Sequence, residues 1–279
     1  MRLTVLVDNN TLIDRYFLAE PGLSFLIEDE GLSVLFDTGY SDIFIKNAQK
    51  MGKGLANLDF IVLSHSHLDH TWGIEPLIRY LAELEIEHRA FSRPALVAHP
   101  ESLTGASADG FREFGSLISK DRLAKHFDLR LSKEPQFLTE HLIFLGEIPK
   151  TNDFESGLTF GRKDGANEDD NVIEDSALVY KTSKGLVIIT GCSHAGICNI
   201  IEYAKKICDD QRILDIIGGF HLQNPPKHQL EGTISYFKNL HPVEIHACHC
   251  TDLASKIALS RVVNLKEVGV GLSLQYKKD

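Results

Sequence analysis

Within the segment Ser64-His65-Ser66-His67-Leu68-Asp69-His70 the chain carries three imidazoles and a carboxylate, directly after the apolar run Phe60-Ile61-Val62-Leu63. Imidazole nitrogen suits zinc, iron and similar divalent ions, and the carboxylate of Asp69 suits a second, harder position beside the first. In extended backbone His65 and His67 point the same way, because side chains alternate with period two. Asp69 and His70 follow where the chain must turn into a helix expected from about Thr71. Two neighbouring metal positions are the natural reading of the segment. The competing reading, a polar loop whose histidines bond one another, accounts poorly for so dense a set of ligands.

One cluster cannot fill two metal positions, so further ligands are expected at other strand ends, where loops of α/β proteins converge. His194 follows Leu186-Val187-Ile188-Ile189 and sits in Gly191-Cys192-Ser193-His194-Ala195-Gly196. It is read as a ligand, with a helix cap or anion contact as the alternative. His249 follows Val243-Glu244-Ile245 and is read the same way. His221, after Gly218-Gly219-Phe220, fits a ligand or a residue that orients a ligand or touches substrate. Cys192, two residues before His194, could ligate or bridge metal as a thiolate. Cys248 and Cys250 flank His249, and strand alternation sends both to the face opposite it, as small buried residues. Asp37, in Phe36-Asp37-Thr38-Gly39, could hold a ligand histidine by a hydrogen bond, or simply form a turn. His88, His99, His126, His141, His228, His241 and His246 lack such settings and read as surface or structural. A four-cysteine metal motif is absent from the sequence.

The elements that must position these residues alternate along the chain. Strands are expected at Met1-Asp8, Leu23-Glu28 and Leu32-Phe36, the last two joined by a turn at Asp29-Glu30-Gly31. A helix capped by Ser41 should run to Met51 with Gly52 as its stop. A strand at Phe60-Leu63, a helix over Thr71-Leu84 and a strand over Pro94-Ala98 follow. Residues 101–127, with a possible helix over Ser116-Phe127, read as an insertion, and 157–175 as a polar loop that orders around substrate. The last hundred residues predict strands at Ala177-Lys181, Gly185-Thr190, Ile213-Ile217 and Val243-His246. Helices are expected over Ile197-Ile207, over Gln229-Leu240 and from Thr251 or Asp252 to Val263, with a closing strand in Leu265-Tyr276. Sheets covered by helices, an α/β class, result.

The bulk numbers suit an enzyme. A chain of 279 residues can bury a sizeable core. The formal charge of −10 argues against a nucleic-acid partner held by phosphate neutralisation. No run of about 18 uncharged apolar residues suggests a membrane span. The first residues alternate like a strand and unlike a signal peptide. Five cysteines without a secreted-framework spacing point to a reducing cytoplasm. A small-molecule substrate, with or without a phosphate group, is the expected partner, and oligomeric state is not legible.

Together, Asp37-Thr38-Gly39, His65-x-His67-x-Asp69-His70 and the later strand-end histidines resemble the metallo-β-lactamase-fold superfamily over nearly the whole chain. Within it, Val7-Asp8-Asn9-Asn10, Gly146-Glu147-Ile148-Pro149, Gly191-Cys192-Ser193-His194-Ala195-Gly196-Ile197, Gly219-Phe220-His221-Leu222 and His249-Cys250-Thr251 resemble the dihydropteroate-synthase-like group, which includes ribofuranosylaminobenzene phosphate synthases. The resemblance implies a four-layer αβ/βα sandwich, a single domain over 1–279, with two divalent ions (zinc, manganese or iron) in a cleft between two sheets. It implies His65, His67, Asp69, His70, His194 and His249 as ligands and Asp69 as a catalytic group, with Cys192, His221, Glu147 and Asp37 as further candidates. Cys192 stands where most members place a bridging aspartate. Glu147 or His194 would replace a first-site histidine that has no obvious counterpart. Two chemistries fit: hydrolysis of a small phosphorylated or ester substrate, and joining of a pterin methyl diphosphate to a ribosyl-aminobenzene phosphate. The second needs a flat aromatic pocket, for which Trp72, Tyr40 and Phe220 are candidates. A non-catalytic sensor or scaffold is the third reading.

Overall fold

The computed structural model describes residues 1–155 and 159–277. In chain order the elements are β1 (Arg2–Val7), β2 (Ser24–Asp29), β3 (Leu32–Phe36), α1 (Ile43–Lys50), β4 (Phe60–Val62), α2 (Leu68–Thr71), α3 (Ile74–Ile86), β5 (Ala95–Ala98), a 3-10 turn (Pro100–Leu103), β6 (Ala106–Ser107), α4 (Lys120–His126), β7 (Asp128–Leu131), β8 (Gln136–Phe137), β9 (Leu142–Phe144), β10 (Arg162–Lys163), β11 (Ala177–Thr182), β12 (Gly185–Thr190), α5 (Ile197–Cys208), β13 (Ile213–Gly219), α6 (Lys227–Leu240), β14 (His246–Cys248), α7 (Leu253–Leu259) and β15 (Ser273–Gln275). They fall into two compact units. The first comprises Met1–Ser132, Phe160–Asp170 and Gly269–Tyr276; the second comprises Lys133–Thr159, Asn171–Val268 and Lys277–Asp279.

The first unit is built on a sheet of order β15-β1-β2-β3-β4-β5-β7, antiparallel up to β3 and parallel beyond it. Leu6, Leu26, Leu35, Ile61 and Leu96 present one face to Phe44 and Ala48 of α1, Leu77, Leu81 and Leu84 of α3, and Leu123 of α4. Those helical residues recur three and four apart, which is why each helix buries a single stripe. Parallel pairing brings the carboxyl ends of β3 and β4 to one edge, where Asp37 and Ser64 begin the candidate site.

The second unit carries a sheet of order β14-β13-β12-β11-β9-β8. Strands β12, β13 and β14 run parallel, so all three deliver their following residues to the same edge. Ile143, Val179, Ile188 and Ile216 pack against Ile197, Ile200, Ile201 and Ala204 of α5, Phe237 of α6 and Leu259 of α7. No helix among the described residues is long and apolar enough to cross a membrane.

Several expectations shift. The helix predicted from Thr71 starts at Leu68 with His67 as its N-cap, then restarts at Ile74 after Gly73. A Cβ on Gly73 would run into the Thr38 carbonyl oxygen, so only glycine lets α3 begin so close to β3's end. The 101–127 stretch contributes the short strand β6, which pairs with β10 from the predicted polar loop. The first residues of that loop, 157 and 158, lie outside the described residues. Strand β14 begins at His246 and not at Val243, and only Ser273–Gln275 of the closing segment is strand. Helix α7 is capped by Asp252, whose side chain accepts from Ser255 N, and it ends at Leu259.

Candidate functional site

Asp37 organises the first unit's histidines. Its side chain is fully buried and its backbone is left-handed at φ +55°. One carboxylate oxygen accepts from Ser64 N at 2.7 Å; the other accepts from Ser64 Oγ at 2.7 Å and from His70 Nδ1 at 2.6 Å. Ser64 Oγ, having donated its proton to Asp37, accepts from His65 Nδ1 at 2.9 Å. The two rings therefore carry their protons on Nδ1 and turn Nε2, with its lone pair, the other way. The ring centroids of His65 and His70 are 4.2 Å apart and those of His65 and His67 4.6 Å, although β4 ends at Val62 and neither His65 nor His67 lies in a strand. Asp69 is partly exposed, with a carboxylate oxygen 3.7 Å from His70 Nε2. The backbone that holds this set is fixed independently: Thr38 Oγ1 donates to His70 O at 2.9 Å, and Thr71 Oγ1 donates to His67 O at 3.0 Å.

In the second unit three turns follow the three parallel strands, and each contains a non-glycine residue with positive φ: Ser193 at +64°, His221 at +51° and His249 at +50°. Such backbone costs about 1–3 kcal/mol per residue, and it recurs at sites where side-chain direction matters. Ser193 Oγ donates to Gly219 O at 2.6 Å, locking the first turn to the second. The His194 and His221 ring centroids lie 4.2 Å apart. His249 Nε2 lies 3.2 Å from Cys192 Sγ. Cys250 departs from the alternation argument, because the chain leaves the strand at Cys248 and His249 is left-handed. Its sulfur accepts from His221 N at 3.3 Å and lies 3.3 Å from Cys192 O, beside the ligand candidates and not opposite them. Burial pushes the Cys250 thiol up, but hydrogen bonding with the Cys192 and His221 side chains and the charges of His249 and His221 hold it well below its usual range. Burial lowers His221, and its contacts with Cys250 and Asp175 outweigh that and raise it.

Asp175 escaped the sequence reading, for it belongs to no motif. It is completely buried; one oxygen accepts from Ala195 N at 2.8 Å, bracing the His194 turn, while the other has no hydrogen-bond partner. Burial pushes its carboxyl up to about 7. The half-exposed carboxylate of Glu147 pairs with Lys133 at 3.2 Å. Phe220 stacks on Phe237 inside the core and offers no face to a ligand. Tyr40 and Trp72 do stack, with centroids 5.3 Å apart. Of the histidines set aside as structural, His99 caps the 3-10 turn by accepting from Glu101 N, and His246 bonds the Asp215 carboxylate at 2.9 Å. Asp215 and His246 form a further donor group with Glu244, which is itself paired with Lys266 at 3.3 Å.

Three imidazoles and a carboxylate in one unit, and three imidazoles with two thiols in the other, make a donor chemistry that fits divalent transition metals. Residues 18–205 match the metallo-beta-lactamase superfamily, and the chain belongs to it. Its α/β architecture is of the metallo-β-lactamase type. The chain is 32% identical over 268 residues to the protein MJ0448 of Methanocaldococcus jannaschii, covering 96% of this chain and 97% of that one. It is also 32% identical over 248 residues to that organism's 7,8-dihydropterin-6-methyl-4-(beta-D-ribofuranosyl)-aminobenzene-5'-phosphate synthase, covering 84% of this chain and 82% of the synthase. Among solved structures it resembles Tm1679, described as a metal-dependent hydrolase of the beta-lactamase superfamily, with a TM-score of 0.80, 27% identity and 99% coverage of both chains. A diphosphatase of the PhnP family shares the fold at 17% identity and a TM-score of 0.53, with 99% of this chain and 98% of that one covered.

Proposed function

We propose that the chain is a metal-dependent enzyme acting on a small phosphorylated or ester substrate, with the donor sets of its two units serving as ligands to two divalent ions. The observation that carries this reading is the Asp37 network, which spends a buried carboxylate on fixing the tautomer of His65 and His70. A merely structural histidine pair needs no such control. Divalent ions held by these side chains supply Lewis acidity and bring the pKa of water near neutrality. His65, His67, His70, His194 and His249 are the imidazole ligands on this reading, Cys192 a thiolate ligand, and His221 a ligand or a substrate contact. Asp69, partly exposed beside His70, is a ligand that also accepts the proton of the attacking water at its carboxylate oxygen. Zinc, manganese and iron all tolerate the set, and cysteines without a secreted-framework spacing suit a reducing cytoplasm.

His67→Ala should remove close to one metal equivalent by elemental analysis while the circular-dichroism spectrum stays intact, and should abolish turnover of a nitrophenyl phosphodiester in the zinc- or manganese-loaded protein. Full metal retention would sink the ligand assignment. Absence of turnover of any ester and of the pterin and ribosyl-aminobenzene pair in the loaded parent protein would leave a metal-bearing sensor or scaffold.

A second reading is favoured by the Tyr40–Trp72 stack and by the likeness to the synthase. On it, bound ions would supply charge stabilisation to a diphosphate leaving group, which departs as an arene carbon or amine of the ribosyl-aminobenzene phosphate attacks the pterin methylene and then loses its proton. Diphosphate release that requires both substrates, with no phosphodiester hydrolysis, would select this reading over the first.

A further inference from the structure

His67 differs from the other imidazoles of the first unit in what surrounds it. Its ring meets Phe114 with centroids 5.1 Å apart in an edge-on contact and Phe160 at 5.3 Å, and Phe114 meets Phe160 edge-on at 5.1 Å. Phe114 is buried, whereas Phe160 is 44% exposed, so one ring supports and the other is presented. Both belong to a ledge built from segments far apart in sequence. Strand β6 pairs with β10, Phe114 N donates to Ala106 O at 2.9 Å, Phe160 N donates to Asp170 O at 2.9 Å, and Asp170 N donates to Gly161 O at 2.8 Å. Lys163, nearly buried, ties the ledge to Glu101 at 3.1 Å and to Asp170 at 3.8 Å. Trp72 Nε1 donates to Gly115 O at 2.8 Å, so the ledge is also bonded to the residue that stacks on half-exposed Tyr40.

The ledge has no room for adjustment. A Cβ on Gly161 would strike Ser107 O and the Phe114 ring, and one on Gly115 would strike the Ala106 backbone. A polar stretch thus places a phenyl ring against a candidate ligand on a closely packed backbone. Stable packing of His67 needs only Phe114; it does not require an exposed aromatic face beside it. Such a face, seated against the Phe114 and His67 rings, favours a flat π-system over a flexible alkyl group.

We propose that Phe114 and Phe160 form the specificity wall of the substrate site, with Phe160 stacking on a planar aromatic group attached to the phosphoryl or acyl centre. The inference rests on the reading of the site as one that takes a phosphorylated or ester substrate, and deepens it to aryl substrates. Phe160 is the contact residue, and Phe114 positions it.

The test is calorimetric binding of phenylphosphonate and methylphosphonate to the zinc-loaded protein, which needs no turnover. The parent should prefer the phenyl ligand by about tenfold, the range of one good aromatic contact. Phe160→Ala should collapse that ratio towards one, Phe160→Tyr should restore it, and Phe137→Ala, an exposed ring on β8, should leave it as in the parent. Zinc content should be the same in all four. Equal affinity for both ligands in the parent, binding of neither, or a ratio unchanged by Phe160→Ala would overturn the proposal. Aryl preference in a protein that hydrolyses nothing would refute the hydrolase and leave the wall standing; hydrolysis of alkyl and aryl esters at one rate would do the reverse.

Discussion

Asp37 shows how much one carboxylate can determine. It takes up Ser64 N, Ser64 Oγ and His70 Nδ1 together, and through Ser64 it reaches His65. The sequence marks the residue as either a turn former or a histidine holder, and it is both: its φ of +55° makes the turn that aims the carboxylate. Asp37→Asn replaces an acceptor-only group by an amide that must turn a donor towards Ser64 or His70. Metal affinity should fall about 10- to 100-fold, measured by competition with a chelator, since this is the usual cost of losing the partner that orients a ligand. Cys250 teaches the opposite lesson. Alternation is a rule for strands, and it stops applying at the residue where pairing ends.

At the scale of elements, the passage from β4 through α2 to α3 decides the geometry of the histidine cluster. A four-residue helix gives Asp69 and His70 their directions, and Gly73 lets α3 start beneath the Thr38 carbonyl. Gly73→Ala must push α3 away from β3 or distort α2, and should cost about 1–3 kcal/mol, the range for forced overpacking. A lowered urea midpoint with an unchanged slope would register it. The long helices were legible because their apolar stripes repeat with period 3.6, as in Ile197, Ile200, Ile201 and Ala204. The pair β6–β10 was not. Two strands of two residues each carry no period, and their partners are more than fifty positions apart.

For the molecule as a whole, the buried acid Asp175 couples stability to pH. Its carboxyl titrates near 7 in the folded chain against 3.8 as an ordinary aspartate, so between those values the folded state holds a proton that the unfolded state has lost. Its contribution is complete below about pH 4 and is lost as pH rises through 7, with a slope of at most about 1.4 kcal/mol per pH unit. Asp175→Asn keeps an acceptor for Ala195 N and has no proton to lose. In the metal-free protein its stability relative to the parent should therefore climb from pH 4 to pH 7.5 in denaturant titrations; a flat difference would mean that Asp175 ionises normally. What the amino-acid sequence determined alone was the class of fold and the histidine clusters, because ligand spacing and hydrophobic period are local properties of the chain. Tertiary structure decided the rest: that Cys250 joins Cys192, that Glu147 goes to Lys133, that Phe220 is core, and that Asp175, Phe114 and Phe160 stand beside the histidines. Those outcomes depend on backbone turns and on contacts between remote segments, and neither leaves a pattern that can be read along the chain.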